Sequence, residues 1–363
     1  MRKPFRSHLY QGPPLDVSRL PSPAGAEAVS ATDGDTGRLG DEGSKRGYFE
    51  GWYFKQTFSD GRVIALIPGV SLGSSPHAFI QINDSVLGSC YIRFSLDTLS
   101  IDRNALNIRI AGNLFSLQGL ELDLESPRGV YQGRVGFSEV SMLPPTLLRP
   151  GIMGPFSYIP GMECYHGLVS MDHRLHGGIR ITLPGQTAES TMLSAEGGRG
   201  YIEKDFGSSF PHAWIWMQAN HFSDSGASIM LSYAHIPLGS RGFPGQLGFF
   251  RHPEFAPRGT VFGTYSRRKI RSTRISGEGR RIDCRIADKE RGGNFRLAVQ
   301  GITDGGRELI APARGNMERR IKETVSGTIR LTLYSGTELL WEAESNGAGM
   351  EIQGPVERLL KLD

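Results

Sequence analysis

The feature that most constrains this fold is a strict alternation of side chains over residues 213–220. A β-strand points successive side chains to opposite faces, and one face of this segment carries Trp214, Trp216, Gln218 and Asn220. A strand that faced solvent would place charged residues there. Two tryptophans with two amides fit either the wall of an apolar cavity with a few polar anchors or a fully buried sandwich strand.

A second alternating segment, residues 47–58, isolates one carboxylate among aromatic side chains. One face of this predicted strand carries Tyr48, Glu50, Trp52, Phe54 and Gln56. Burial disfavours the charged form of a carboxyl group. Glu50 is therefore expected either to be ion-paired, with Lys55 or Lys204 as partner, or to be kept as a proton donor with a raised pKa.

Composition and turn signals predict an all-β chain. The 363 residues include 48 glycines and 21 prolines, and this excess is typical of many turns between short strands. Residues 11–46 are rich in small and polar residues and poor in large apolar ones, so the segment 1–46 is expected to be mostly disordered. Two domains are predicted after it, at residues 47–199 and 200–363.

Charge and cysteine content narrow the possible partners and the compartment. The net charge is +4, and residues 267–291 carry ten basic against four acidic side chains. This basic stretch is expected to be a solvated strand face or a contact with an anionic membrane; nearby aromatic residues are too few to predict nucleic-acid binding. Three widely spaced cysteines and a basic start without an apolar stretch predict a cytoplasmic protein, with peripheral association with a membrane as the alternative.

The segment 141–162 reads as a long loop with little periodicity. It contains four Pro–Pro, Pro–Gly or Gly–Pro pairs together with several large apolar residues. Loops of this length inside compact domains are usually functional. The loop is interpreted as a lid over an apolar ligand, a membrane contact, or a plug in the mouth of the cavity.

Three ordered motifs carry a family resemblance. The motif Phe-Glu-Gly-Trp-Tyr-Phe-Lys at residues 49–55 and the long motif at residues 203–220 resemble the tocopherol cyclase family. The ending at residues 327–355 resembles the ending of that family, and the segment 155–173 resembles its bacterial branch. One departure is Phe206, where the family usually has a tryptophan before the glycine.

The resemblance implies two tandem lipocalin-like β-barrel halves that enclose an apolar cavity. Plant and cyanobacterial members of the family close a prenylated benzoquinol into a chromanol ring, and related lipocalin-like families include carotenoid hydratases and other cyclases. No cofactor is expected. No metal site is predicted either, because His166 and His173 fall on opposite faces of the strand that follows Glu163.

The resulting hypothesis is acid-catalysed closure of a prenylated quinol. Protonation of an alkene requires a carboxylic acid held neutral in a dry site, and aromatic faces stabilise the resulting cation. The candidate acids are Glu203, Asp205 and Glu50. The candidate binding residues are Trp52, Tyr53, Trp214 and Trp216 in the walls, Gln218 and Asn220 toward the quinol oxygens, and Lys204 or His166 as partner base. The alternatives are a prenylquinone or lipid carrier without catalysis and a hydratase or other cyclase on the same scaffold.

Overall fold

The structure is a computed structural model that describes residues 47–102, 104–186, 190–223, 226–238, 241–288 and 294–360. The segment 1–46, for which disorder was predicted, lies outside the described residues. Among the described residues, no helix is both long and apolar enough to span a bilayer.

The described residues form twenty-two β-strands and one short α-helix, which confirms the all-β prediction. In chain order they are β1 Phe49–Thr57, β2 Val63–Ser71, β3 His77–Asp84, β4 Gly88–Phe94, β5 Leu99–Ile101, β6 Asn107–Ile110, β7 Asn113–Ser116, β8 Gly119–Ser126, β9 Gly129–Ser141, β10 Cys164–Thr182, β11 Ser190–Ser194, β12 Arg199–Gly207, β13 Trp214–Ala219, β14 Ser228–Leu238, β15 Arg241–His252, β16 Ala256–Gly263, β17 Arg268–Ser276, β18 Arg281–Asp288, β19 Phe295–Ile302, β20 Arg307–Ala313, β21 Asn316–Ser335, β22 Glu338–Gln353 and α1 Val356–Leu360. Short 3₁₀ turns occur at Leu96–Thr98 and Gly154–Tyr158.

The strands form two large curled antiparallel sheets, one from each half of the chain. The first has the order β4-β3-β2-β1-β12-β10-β9-β8-β7-β6-β5, with β11 paired to β10. The second has the order β16-β15-β14-β13-β22-β21-β19-β18-β17, with β20 paired to β21. Two curled sheets of this kind agree with tandem lipocalin-like halves.

The change from the first sheet to the second falls later than the predicted domain boundary at residue 200. Strand β12 pairs with β1 and β10, so it belongs to the first sheet. The second sheet begins with β13 at Trp214. The charged motif at residues 203–205 and the tryptophan motif at residues 214–216 therefore lie in different halves of the molecule.

Three apolar clusters fill the molecule, one inside each half and one between the halves. Trp52 and Phe54 lie in the first, and Ile215 and Met217 lie in the second. The third cluster contains Tyr53 from β1 together with Trp214 and Trp216 from β13. Because side chains alternate along a strand, β1 and β13 each have one face inside their own half and one face toward the other half.

A buried polar network also joins the two halves. Asp172 on β10 is ion-paired with Arg199 on β12, and its carboxylate lies 3.4 Å from a guanidinium nitrogen of Arg251 on β15. Asn220 at the end of β13 donates to the same carboxylate at 3.2 Å and to the carbonyl of Gly200 at 2.7 Å. Asp172 is thus contacted by groups from both sheets.

Candidate active site

A cavity of about 180 Å³ lies between the two sheets. Apolar and aromatic side chains from both halves form most of its walls. They include Phe49, Tyr53, Ile67, Phe79, Met153, Phe156, Met162, Phe210, Trp214, Trp216, Ile236, Phe243, Leu247, Tyr265, Leu309 and Ile321. Four carboxyl groups and one imidazole also border it: Glu203, Asp205, Glu323, Glu351 and His166.

Part of the predicted loop at residues 141–162 forms one wall of this cavity. Met153, Phe156 and Met162 line it. Tyr265, which follows β16, donates a hydrogen bond of 2.6 Å to the carbonyl of Ile152, and Phe156 stacks on Phe243 with ring centroids 5.9 Å apart. The loop is therefore held against the second sheet while its apolar side chains face the cavity.

The aromatic walls meet at Tyr53 and Trp216, which come from different sheets. Their rings pack edge to face with centroids 5.5 Å apart. Phe210 packs in the same way on Trp214 at 5.7 Å, and the Arg319 guanidinium lies 4.8 Å from the Trp214 ring centroid. The predicted tryptophan face of β13 thus lines a cavity rather than the interior of a sandwich.

Glu203 and Asp205, the first-choice acids from the sequence, flank a single histidine. Nδ1 of His166 lies 2.9 Å from Oδ1 of Asp205, and Nε2 lies 3.3 Å from Oε2 of Glu203. Burial alone lowers the pKa of His166, but the two carboxylates together raise it well above its usual range. Tyr201 also donates a hydrogen bond of 2.6 Å to Glu203. We interpret this group as an imidazolium held between two carboxylates.

Among the described residues, this histidine and its two carboxylates are also the group with metal-ligand spacing. Ligand atoms of His166, Glu203 and Asp205 all lie within 4.8 Å of one another. A metal-bound histidine uses one nitrogen for the ion and the other for a hydrogen-bond partner. Both nitrogens already contact carboxylate oxygens, so a cation would have to displace one of these contacts. The geometry favours the ion-paired imidazolium.

Two further carboxyl groups in the cavity, Glu323 and Glu351, were missed by sequence reasoning. Burial first, and then the negative charge of Glu323, raise the pKa of Glu351 well above its usual range. The Trp214 indole donates a hydrogen bond to Oε2 of Glu351 and opposes that shift. Part of the Glu351 side chain stays accessible where it borders the cavity. Burial and the neighbouring Glu323 therefore both favour the protonated form of Glu351.

Glu323 lies beside Glu351 and is held by more donors. The Tyr53 hydroxyl donates to Oε1, and the Asn83 amide donates to Oε2 at 3.1 Å. Burial raises the pKa of Glu323 to about 7, although these two hydrogen bonds and the nearby Lys55 lower it. Burial in turn lowers the pKa of Lys55 to about 7. Glu323 and Lys55 thus both titrate close to neutral pH.

Five residues predicted for the site do not line the cavity. Glu50 is buried and ion-paired with Lys204, which also lies 5.1 Å from the Trp52 ring centroid. Trp52 packs in the interior of the first half. Gln218 and Asn220 hydrogen-bond to each other at 3.3 Å, farther along β13. The prediction of Glu50 as an acid and of Trp52 as a wall residue of the cavity was wrong, because the opposite face of β1, that of Tyr53, lies between the halves.

The sequence around Glu351 has a pattern that could have identified it as a candidate site residue. It lies in the C-terminal segment 349–353, where Gly349, Glu351 and Gln353 alternate with Met350 and Ile352. This is the same pattern of one carboxylate on a strand face that singled out Glu50. Glu323 lies in a long charged stretch of β21, and only its pairing opposite Glu351 reveals its position.

The arrangement can donate a proton to an apolar ligand and accept one from it. A carboxyl group with a raised pKa, Glu351, and a charged cluster around His166 border one apolar cavity with aromatic walls. Neutral carboxylic acids of this kind serve as general acids, and carboxylates serve as bases. Burial also raises the pKa of the Cys164 thiol well above its usual range, which disfavours the nucleophilic thiolate form of this cavity residue.

Comparison with known proteins confirms the family resemblance for the C-terminal part of the chain. The sequence profile described as tocopherol cyclase-like matches residues 181–354. The matched residues make up slightly less than half of the chain. The motifs at residues 49–55 and 155–173 lie outside the matched range. No curated protein sequence matches the chain.

The solved structure of CghA shows the same fold at very low sequence identity. The crystal structure of CghA is 9% identical, with a TM-score of 0.52 over 85% of this chain and 88% of that chain. Kievitone hydratase from Nectria haematococca is 10% identical, with a TM-score of 0.46 over 85% of this chain and 89% of that chain. At 9% identity, the similarity to CghA shows a shared fold and not a shared activity.

Proposed function

We propose that this chain, whose residues 181–354 match the tocopherol cyclase-like profile, is an isomerase that closes a prenylated benzoquinol to a chromanol by acid catalysis. The observation that carries the proposal is the position of Glu351, a carboxyl group in the wall of an apolar cavity whose pKa is raised well above its usual range by burial and by the charge of Glu323. The family match at residues 181–354 supports a cyclase-type reaction.

In the first step, Glu351 donates its proton to the alkene of the prenyl chain. Oε2 of Glu351 accepts from the Trp214 indole, so the proton resides on the other carboxyl oxygen and can be presented to the ligand. A C–H bond forms at one alkene carbon, the π bond breaks, and a tertiary carbocation remains at the other. The electron-rich faces of Trp214, Trp216 and Tyr53 stabilise this cation.

In the second step, a phenolic oxygen of the quinol attacks the cation and closes the ring. The phenolic proton passes to a carboxylate of the cluster formed by Glu203, His166 and Asp205. One proton has then entered the substrate and one has left it, so the product is an isomer of the substrate. Because the His166 cluster and Glu351 border the same cavity, both proton transfers take place in one chamber.

Apolar walls are needed because water would capture the carbocation. The loop residues Met153, Phe156 and Met162 cover one side of the cavity. Exclusion of water also strengthens the electrostatic effect of the buried charges on the reacting atoms. The same cavity would permit hydration if a water molecule reached the cation, and a carrier would use the cavity without any proton transfer.

Liquid chromatography coupled to mass spectrometry, after incubation with a prenylated benzoquinol, separates these functions, because the quinol and its cyclised isomer share a mass but elute separately. A cyclase gives a product of unchanged mass, a hydratase gives a product heavier by one water, and a carrier returns the substrate. The proposal expects unchanged mass together with loss of the free quinol. Unconverted substrate, or a hydrated product, would overturn it.

The variant Glu351→Gln tests the assigned acid. Gln keeps an oxygen that accepts from Trp214 but has no acidic proton, so kcat should fall about 10²- to 10⁴-fold. Ligand binding, followed by quenching of tryptophan fluorescence, should change little because Trp214 and Trp216 keep their packing. Glu342→Gln, an exposed glutamate on the same strand, is the matched control and should keep full activity.

A further inference from the structure

The loop between β9 and β10 has an exposed apolar tip. Leu147 and Leu148 are 87% and 77% exposed, and Tyr158 and Ile159 are 61% and 42% exposed. The tip is braced from within, since the Tyr158 hydroxyl donates a hydrogen bond of 2.9 Å to the carbonyl of Leu147. Four large apolar side chains are thus presented to the outside by one connected segment, an arrangement typical of an interaction surface.

The charges of this loop and its surroundings complement an anionic surface. Residues 141–162 contain one charged side chain, Arg149, and no acidic one. Arg149 folds back on the loop and donates to the carbonyl of Pro144 at 2.9 Å. Tyr265 attaches the loop to the turn that precedes β17, and the exposed side chains of Arg267, Arg271 and Arg274 follow on that turn and strand.

The same loop connects its outer surface to the cavity. Between the exposed pair at residues 147–148 and the exposed pair at residues 158–159, Ile152 and Met153 turn inward and are buried. Met153 and Phe156 line the cavity. One segment of chain therefore carries both the exposed apolar side chains and part of the cavity wall.

We propose that the loop tip formed by residues 144–161 docks on the headgroup region of an anionic lipid bilayer and admits the ligand from the membrane. Leucine and aromatic side chains insert at the boundary between headgroups and acyl chains, while nearby arginines bind anionic headgroups. This inference rests on the proposed function for the nature of the ligand, a prenylated molecule that partitions into bilayers. The docking itself requires no turnover.

Sedimentation of the full chain with lipid vesicles tests the docking. The probes are vesicles of phosphatidylcholine alone and of phosphatidylcholine with phosphatidylglycerol. The protein should bind the anionic vesicles more tightly than the neutral ones. The double variant Leu147→Ser/Leu148→Ser should lose about tenfold or more in vesicle affinity, because two exposed leucines no longer insert.

A matched control is available in the second sheet. Leu339 and Leu340 are also adjacent leucines, 52% and 38% exposed, at the start of β22 and outside the loop. The variant Leu339→Ser/Leu340→Ser should bind vesicles like the wild type. Melting temperatures of both double variants show whether each chain is folded, and Arg149→Gln provides a second test of the loop, with a weaker preference for anionic vesicles.

Several outcomes would overturn the docking surface. They are absence of wild-type vesicle binding, equal loss in the two leucine variants, or a concentration-dependent dimer in sedimentation that only Leu147→Ser/Leu148→Ser abolishes. The last result would assign the tip to a second copy of this chain. Vesicle binding without any isomer product would reject the proposed function alone, whereas product from detergent-dispersed substrate without vesicle binding would reject the docking alone.

Discussion

Glu323 and Glu351 are directly opposed on the neighbouring strands β21 and β22, and both border the cavity. Two like-charged carboxylates this close disfavour simultaneous ionisation. Hydrogen-bond donors distinguish the two groups, because Tyr53 and Asn83 both donate to Glu323, whereas Trp214 donates to Glu351. As the pH rises, Glu323 is therefore expected to lose its proton first, while Glu351 keeps its own.

Removal of the Glu323 charge should shift the pH profile of catalysis. Glu351 is active in its protonated form, so activity is lost as the pH rises through its pKa. The Glu323 carboxylate raises that pKa, so Glu323→Gln should lower it and move the alkaline limb of kcat to lower pH. A pH–rate profile measures this shift, and an unchanged alkaline limb would show that the two groups are not coupled.

Replacement of Lys55 should stabilise the fold at neutral and acidic pH. Burial lowers the pKa of Lys55 from 10.5 to about 7, so the unfolded chain binds this proton more strongly than the folded one. Burial of Lys55 therefore lowers the free energy of unfolding, fully below about pH 7 and not at all above about pH 10.5. Lys55→Met should therefore raise the free energy of unfolding by up to roughly 4 kcal/mol at pH 6 and by little at pH 10.5.

Urea denaturation at these two pH values measures the effect of Lys55. The exposed Lys322 on β21 gives a matched control, and Lys322→Met should show no difference between the two pH values. An equal effect of Lys55→Met at both values would contradict the assignment of a buried lysine with a lowered pKa. Because Lys55 also lowers the pKa of Glu323, the variant should raise the pKa of that glutamate above about 7.

His173 should make the fold sensitive to acid. It is buried and contacts the Ser170 hydroxyl at 2.9 Å, and burial followed by the charge of Arg199 lowers its pKa from 6.5 to about 3. The unfolded chain binds this proton more strongly, so stability is complete above about pH 6.5 and is lost as the pH falls toward 3. His173→Gln should remove that part of the acid dependence.

The test for His173 is a series of urea titrations between pH 7 and pH 4. The free energy of unfolding of the wild type should fall by several kcal/mol over this range, and His173 should account for about 1.4 kcal/mol of that fall for each pH unit below 6.5. The fall should be correspondingly smaller for His173→Gln. His212→Gln, at an exposed histidine, should behave like the wild type. If His173→Gln keeps the full acid dependence, His173 is not the responsible group.

Asp172 should be a main electrostatic contact between the halves. It is 1% exposed, and Arg199, Arg251 and Asn220 all contact its carboxylate. Asp172→Asn leaves two arginines without their anion, so the free energy of unfolding should fall by about 3–5 kcal/mol. Asp283→Asn, which breaks an exposed pair with Arg281, should cost less than about 1 kcal/mol; similar costs for the two variants would contradict this role.

Local sequence patterns predicted the strands and part of the cavity. The alternation at residues 213–220 placed Trp214 and Trp216 together, and the structure puts both in the cavity wall. Glu203 and Asp205 also line this cavity. Lys204 lies between them in sequence, so strand alternation places it on the opposite face. These predictions held because they depend only on the period of a strand.

The remaining site residues could not be predicted because they depend on which sheet face meets the other half. Alternation along β1 places Trp52 and Tyr53 on opposite faces but does not say which one turns toward the other half; both were predicted as wall residues, and only Tyr53 is one. Glu323 is 270 residues away from Tyr53, to which it is hydrogen-bonded. Such contacts arise from the pairing of distant strands, and no local period encodes them.

The central claim is that Glu351 holds a proton at neutral pH inside the cavity. Infrared difference spectroscopy of the wild type against Glu351→Gln tests it most directly, because a protonated carboxyl group and a carboxylate absorb in separate regions. The account predicts that the wild type at neutral pH shows a protonated carboxyl band that Glu351→Gln lacks and Glu342→Gln retains. A carboxylate band in place of the protonated one would contradict it.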